Sequence, residues 1–145
     1  MLTFVISVQI ATLSFHQADH FSESGRSDLL GEGDGKGFNR NIPIPSGTDS
    51  PTYLQTFDRV LEEVTGRFRP ELVVIAAGFD AHRRDPASSL NLTETDFGSM
   101  TKSVLRITRS FTGGKTLSLL EGGYNTHSLR LGVIEHCEVL ASPSP

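Results

Sequence analysis

An α/β fold on a parallel sheet is predicted by three features of the sequence. Leu72-Val73-Val74-Ile75-Ala76-Ala77 is an unbroken apolar run rich in β-branched residues, the pattern of a central strand covered on both faces. A second, shorter strand is expected over Lys115 to Leu120, which carries Leu117, Leu119 and Leu120 and ends like the first in glycine and polar residues. Beside these runs, apolar residues recur at three- and four-residue steps, which marks amphipathic helices. Strands alternating with helices imply right-handed crossovers and strands that run the same way.

The elements follow in order. Leu2 to Phe15 is apolar but lacks a basic leader, carries Gln9 and runs into His16-Gln17 instead of a small-residue cleavage site, so it reads as a sheet strand, not a secretory signal. It also falls short of the roughly 18 apolar residues of a membrane span. Residues 15–48 form a long glycine-rich loop, in which Asn41-Ile42-Pro43-Ile44-Pro45 supplies a short strand that its two prolines confine to an edge. Ser50 as cap and Pro51 at the first helical position open a helix whose stripe is Leu54, Phe57, Leu61, Val64 and Phe68, ending near Gly66 and Pro70.

After the Leu72 strand, Thr93 with Asp96 forms a shortened capping box for a second helix carrying Phe97, Met100, Val104, Ile107 and Phe111. Gly113-Gly114 ends it. The Lys115 strand closes on Glu121-Gly122-Gly123-Tyr124-Asn125, and a last helix starts near Thr126 and buries Leu129, Val133, Ile134, Cys137 and Leu140. Domain material is expected over 1–141, with 142–145 a frayed tail. Three or four strands and three helices are few for a strand buried on both faces, so the sequence reads as an incomplete fold with an apolar face left open.

Composition narrows the function. With 145 residues, 37% of them hydrophobic, the chain has material for one core. Thirteen basic and 17 acidic residues give a net charge of −4 without a block of either sign, which argues against direct nucleic-acid binding. The single Cys137 excludes an internal disulfide and favours an intracellular setting, cytoplasm or nucleus.

Asp80 stands where the Leu72 strand surfaces, and open α/β sheets keep their chemistry beyond the carboxyl ends of their strands. Gly122-Gly123-Tyr124-Asn125 follows the next strand, and neighbouring parallel strands bring both tips to one edge. A carboxylate at Asp80 suits a divalent metal, and a neutral phenol at Tyr124 suits donation to an oxyanion. The plainer readings are an Asp that caps the following turn and a Tyr that packs with its hydroxyl at the rim. His16 and His20 lie four apart in a glycine-rich stretch without helical periodicity, so solvated or packed histidines are the default there. Residues 31–37 resemble a phosphate loop but lack the Ser or Thr after Lys36 that the pattern requires.

The runs Ala77-Gly78-Phe79-Asp80-Ala81-His82, Asp85-Pro86, Leu90-Asn91-Leu92-Thr93 and Leu120-Glu121-Gly122-Gly123-Tyr124-Asn125 together resemble the C-terminal half of the zinc-dependent histone deacetylase family, closest to its class II-like and acetylpolyamine amidohydrolase-like members. Leu13-Ser14-Phe15-His16-Gln17, Gly35-Lys36-Gly37-Phe38-Asn39 and Asn41-Ile42-Pro43-Ile44 fall in the same order, so the resemblance covers about residues 10–140. It implies a partial arginase/deacetylase-type sheet in which zinc polarises an acetamide carbonyl and activates a water. By the same resemblance Asp80 corresponds to a zinc ligand and Tyr124 to the oxyanion donor. Gly122 and Gly123 correspond to the substrate tunnel wall, Phe21 to an aromatic wall for the acyl-lysine stem, and Ser14 and Phe15 to a monovalent-cation site that takes K+.

The family's Asp-x-His zinc motif and tandem catalytic histidines precede the Ser14 strand and are not in this sequence. The 19–25 segment also departs from the family's Phe-Pro-Gly-Thr-Gly run. The expectation is therefore part of a deacetylase domain acting on acetyl-lysine proteins or acetylpolyamines, inactive by itself. Two alternatives stand beside it. One is a non-catalytic module that binds a partner, or itself, through an exposed sheet edge; the other is an unrelated hydrolase using Asp80 as general base.

Overall fold

The computed structural model describes residues 2–6, 10–20 and 25–142. The elements are β1 (Leu2–Ile6), β2 (Ala11–Gln17), β3 (Asn39–Ile44), α1 (Ser50–Arg67), β4 (Val73–Ala77), α2 (Glu94–Thr112), β5 (Thr116–Leu120) and α3 (Thr126–Ala141). One sheet holds all the strands, in the order β3-β2-β1-β4-β5. β2 pairs parallel with β3 and β4 with β5, while β1 is antiparallel to both β2 and β4. β2, β3, β4 and β5 therefore run the same way, and their carboxyl ends share one edge.

The N-terminal segment differs from expectation. A single strand over residues 2–15 would be roughly 45 Å long at the usual rise, whereas its neighbours have five to seven residues. Two antiparallel strands keep both halves within the sheet. The loop expected over 15–48 is likewise shorter, because β2 continues to Gln17 and β3 begins at Asn39, with a 3-10 turn at Gly33–Gly35 between them. β3 is an edge strand, as Pro43 requires.

Helix α1 is capped one residue earlier than expected. Asp49 accepts from the Thr52 amide at 3.0 Å, and Ser50 is the first helical residue. Pro51 still falls in the first turn, where its missing N–H leaves no bond unmade. Ser50 is free to donate to Asp96 Oδ1 at 2.6 Å, and Asp96 Oδ2 accepts from the Thr93 amide at 2.7 Å, so one carboxylate joins the starts of α1 and α2. Gly113 ends α2 at φ 64°, a left-handed position suited to glycine.

The core lies on one face of the sheet. Leu13 and Phe15 of β2 and Val73, Ile75 and Ala77 of β4 meet Phe57 and Val60 of α1 and Met100 and Val104 of α2. The Phe15 and Phe57 rings lie 4.9 Å apart, and neither they nor Ile75 keep any exposed surface. Helix α3 follows its apolar pattern only in part: Leu129 and Val133 are half-buried against the core, but its fully buried residues are Ser128, Gly132 and His136, while Cys137 and Ile134 are exposed. The close approach of Phe79 decides this, since a Cβ on Gly132 would lie 2.7 Å from its ring.

The opposite face is open at β4 and β5, although it is closed over β2, where Ser14 and His16 are buried. Register places Val74 beside Leu117 and Ala76 beside Leu119, on the side away from Ile75. Leu117 and Leu119 are 49% and 51% exposed, and Val74 and Ala76 only half-buried. β4 is thus buried on one face, not both. No described helix is long and apolar enough to cross a membrane.

Candidate functional site

The carboxyl ends of β2, β4 and β5 supply a small pocket and the loops around it. Phe15, His16 and Gln17 from β2, His20 from the turn after it, Tyr53 from α1, and Asp80, Ala81, Ser88 and Leu90 from the loop after β4 line the pocket. It belongs to the edge on which an open α/β sheet keeps its chemistry. Asp80 is half-buried at this pocket, three residues beyond the last residue of β4.

Two loops are tied together to make the site. Phe79 N–H donates to Gly122 O at 2.9 Å, and Glu121 N–H to Ala77 O at 3.0 Å. Gly122 lies against the Asp80 carboxylate, where an added Cβ would come within 3.0 Å of Cγ. Gly123 adopts φ 129°, and a Cβ there would lie 2.8 Å from Leu129 Cδ1, so only glycine fits. The two strand tips therefore share one edge, as the strand pattern predicts, with Gly122 and not Tyr124 beside the Asp80 carboxylate.

Asp85, which enters the sequence reading only within the Asp85-Pro86 run, holds the loop. Its buried carboxylate accepts from the amides of Tyr124 at 2.7 Å and Asn125 at 3.0 Å through Oδ2, and of Ala87 at 3.0 Å through Oδ1. Asn125 Nδ2 donates back to Arg84 O at 3.1 Å. Asp85 thereby fixes the Tyr124 backbone from a separate loop. The Tyr124 ring itself is 66% exposed and is not part of the pocket wall.

Tyr53 was unsuspected, since it falls outside the apolar stripe of α1. It is buried at the pocket wall, and its phenol is pushed well above the ordinary value of 10.0, first by burial and then by the Asp80 charge. It stays neutral beside the carboxylate. Gln17 closes another side: its Oε1 accepts from the Ser89 amide at 2.6 Å, and its Nε2 lies 3.2 Å from His20 Nε2, which acts as acceptor.

His16 sits on β2, not in a loop, and both ring nitrogens are engaged: Nε2 with Gly25 O at 2.9 Å and Nδ1 with Ser14 Oγ at 3.0 Å. The carbonyl fixes Nε2 as the protonated nitrogen, so Nδ1 accepts from Ser14. Burial, foremost, lowers the His16 pKa and favours this neutral form. His82 is buried too. It accepts the Arg84 amide at Nδ1, 3.0 Å, and faces Glu94 Oε2 at 3.2 Å through Nε2, which makes it a fastener of the loop after β4.

The remaining candidates separate. Ser14 is buried on β2, which β1 separates from β4, and the Phe15 ring is in the core, so Phe15 can meet a cation only through its backbone oxygen. Phe21 lies outside the described residues. Among the described residues no group of three or more His, Cys, Asp or Glu stands where it could hold a metal ion. The described part of the site therefore fits one ligand of a zinc ion, Asp80, and not the three protein ligands a catalytic zinc takes.

The histone deacetylase domain family matches residues 3–140 of this chain. Histone deacetylase 14, chloroplastic, of Arabidopsis thaliana is 32% identical over 128 residues, which are 88% of this chain and 30% of that protein. Among solved structures, the HDA15 HD domain superposes with a TM-score of 0.78 at 30% identity, covering 89% of this chain and 38% of that one. An acetylpolyamine aminohydrolase from Burkholderia pseudomallei superposes at 0.76 with 28% identity, covering 88% and 36%. The chain thus spans about a third of the length of these three relatives. On the strength of a match over nearly its whole length and of a shared arrangement of sheet and helices, the chain belongs to the histone deacetylase domain family.

Proposed function

We propose that this chain is the part of a zinc-dependent amidohydrolase domain that supplies one zinc ligand, Asp80, and the oxyanion-donating tyrosine, Tyr124, for cleavage of N-acetyl amides of lysine or of polyamines. The observation that carries the reading is the contact of the Asp80 carboxylate with Gly122, in a loop whose next residues are fixed through Asp85. A carboxylate at the carboxyl end of β4 and a phenol two residues beyond its glycine neighbour are what this chain's own residues offer to a metal and an oxyanion. Gly122 and Gly123 then form part of the tunnel wall. Ser14 Oγ and the Phe15 backbone oxygen are offered to K+. Because the described residues supply a single metal ligand, no step of hydrolysis is assigned to zinc on this chain alone, and the isolated chain is inactive.

A chimera tests this. The chain replaces the matching third of the Burkholderia pseudomallei acetylpolyamine aminohydrolase, and bound zinc and turnover of an acetylated polyamine are measured. The reading expects zinc and turnover, both lost in Asp80→Asn, with Tyr124→Phe keeping zinc and losing turnover. A chimera that keeps full zinc and turnover after Asp80→Asn overturns the assignment.

One observation favours a second reading, a non-catalytic module that binds a partner or itself through the sheet edge. β5 ends the sheet, and Leu117, Leu119 and Leu120 on it are largely exposed. Concentration-independent sedimentation as a monomer would remove its self-associating form. An intracellular location fits either reading and rests on the single exposed Cys137.

A further inference from the structure

At the opposite end of the strands, about 20 Å from Asp80 by the length of β2, lies a cavity of about 390 Å³ that the deacetylase reading does not use. It opens between the starts of β2 and β3, the last turn of α1 and the 30–38 loop. The loop that only mimics a phosphate-binding motif in sequence forms its roof. That roof is held in place: Gly37 N–H donates to Leu30 O at 2.7 Å, Thr12 N–H to Phe38 O at 2.7 Å, and Asn39 Nδ2 to Leu29 O at 2.6 Å.

The lining has two characters. Phe38 and Phe68 meet edge to face at 5.7 Å and, with Leu30, give an apolar wall. Lys36, Arg40 and Arg67 give a cationic one, against the single carboxylate of Glu63. Glu63 is already taken by Arg67, at 3.2 Å. Arg67 also stands in the last turn of α1, where a cation offsets the partial negative charge of the helix end. Lys36 and Arg40 are left with no carboxylate partner among the described residues. The size is that of a small-molecule pocket, mostly apolar with a few convergent polar groups.

We propose that this cavity binds a small organic anion with a planar apolar body, an aryl carboxylate in chemical class, whose ring lies on Phe38 and Phe68 and whose carboxylate pairs with Arg40 and Lys36. The proposal is independent of the zinc site and of any activity.

The test is an amide NMR titration of the full 145-residue chain with 2-naphthoate, and with uncharged 2-naphthylmethanol as control. Saturable shifts at Phe38, Arg40 and Phe68, binding of the alcohol at least about tenfold weaker, and a similar loss for naphthoate in Lys36→Gln/Arg40→Gln are expected, each tenfold being the scale of one lost charge-assisted bond. Lys36→Arg/Arg40→Lys keeps the charge and is expected to keep binding, which decides the matter if the glutamine variant does not fold. Absence of saturable binding, equal affinity for the alcohol, or shifts confined to residues 117–120 on the open face would overturn the proposal.

Discussion

On one face of the sheet Phe15, Phe57 and Ile75 are wholly removed from water, while on the other Leu117 and Leu119 keep about half of their surface. The same strands contribute to both. β4 presents Ile75 to the helices and Val74 and Ala76 to the open side, all equally apolar in sequence. The difference therefore lies in what covers each face, not in the strand. The described helices pack on the first face, and no described helix covers the apolar side chains that β4 and β5 present on the second. At the carboxyl edge of the strands the loops are pinned by Asp85, and Asp80 lines a small pocket.

This contrast can be broken by mutation. Phe57→Ala on the covered face should cost about 3–5 kcal/mol in urea unfolding, the transfer of a fully buried ring plus its cavity. A loss under about 1 kcal/mol would mean the covered face is not packed as described. Asp85→Ala should cost about 3 kcal/mol, because three amide donors lose a buried acceptor at once. In the chimera described above, the same substitution should lower turnover more than zinc content, since it releases the Tyr124 loop and leaves Asp80 in place.

A pH effect distinguishes the buried polar contacts of the helix layer from exposed ones. Thr101 donates to Phe97 O at 2.7 Å and so accepts from His136 Nδ1 at 2.6 Å, leaving Nε2 to accept from Ser118 at 2.8 Å. The ring is neutral, and burial lowers its pKa below the ordinary 6.5. The unfolded chain then takes up the proton first as pH falls. Stability from this ring is complete above 6.5 and declines as pH drops toward its folded value. The urea midpoint should fall between about pH 7.5 and 5.5, and by less in His136→Gln; an equal drop in both would remove His136 as a source.

The smallest effect belongs to the open face. Leu119→Lys should change the stability of the isolated chain by less than about 0.5 kcal/mol, and should reduce self-association in sedimentation if the chain associates through that face. A loss of about 2 kcal/mol or more would show that the face is covered after all.

The three helices, β4 and β5 were legible because their signals are local: apolar periods, the Ser50-Pro51 opening, Thr93 with Asp96, and Gly113-Gly114. The reversal between Ile6 and Ala11 was not, since an apolar run states that a segment is buried and not how often it turns. Asp49 displaced Ser50 as cap because two adjacent residues can both cap, and the Ser50 hydroxyl had a better partner in Asp96 across the core. Asp80 and the Gly122-Tyr124 loop could be paired from strand ends alone. Asp85, Tyr53 and Gln17 could not, because each reaches the site by crossing to another loop or element: Asp85 bonds 39 residues along the chain and Gln17 bonds 72. The apolar pattern of α3 places Leu129 and Val133 against the core but misses its most buried residues, Ser128, Gly132 and His136, a polar and small stripe that allows the approach of Phe79 and the bond to Thr101.

The most direct measurement is metal content and turnover of the isolated chain, purified and supplied with zinc and an acetyl-lysine peptide. If Asp80 is the zinc ligand proposed above, with no second ligand beside it among the described residues, less than stoichiometric zinc and no turnover are expected. One tightly held zinc per chain together with turnover would contradict the account, since the chain would then be a complete catalyst and not a part of one.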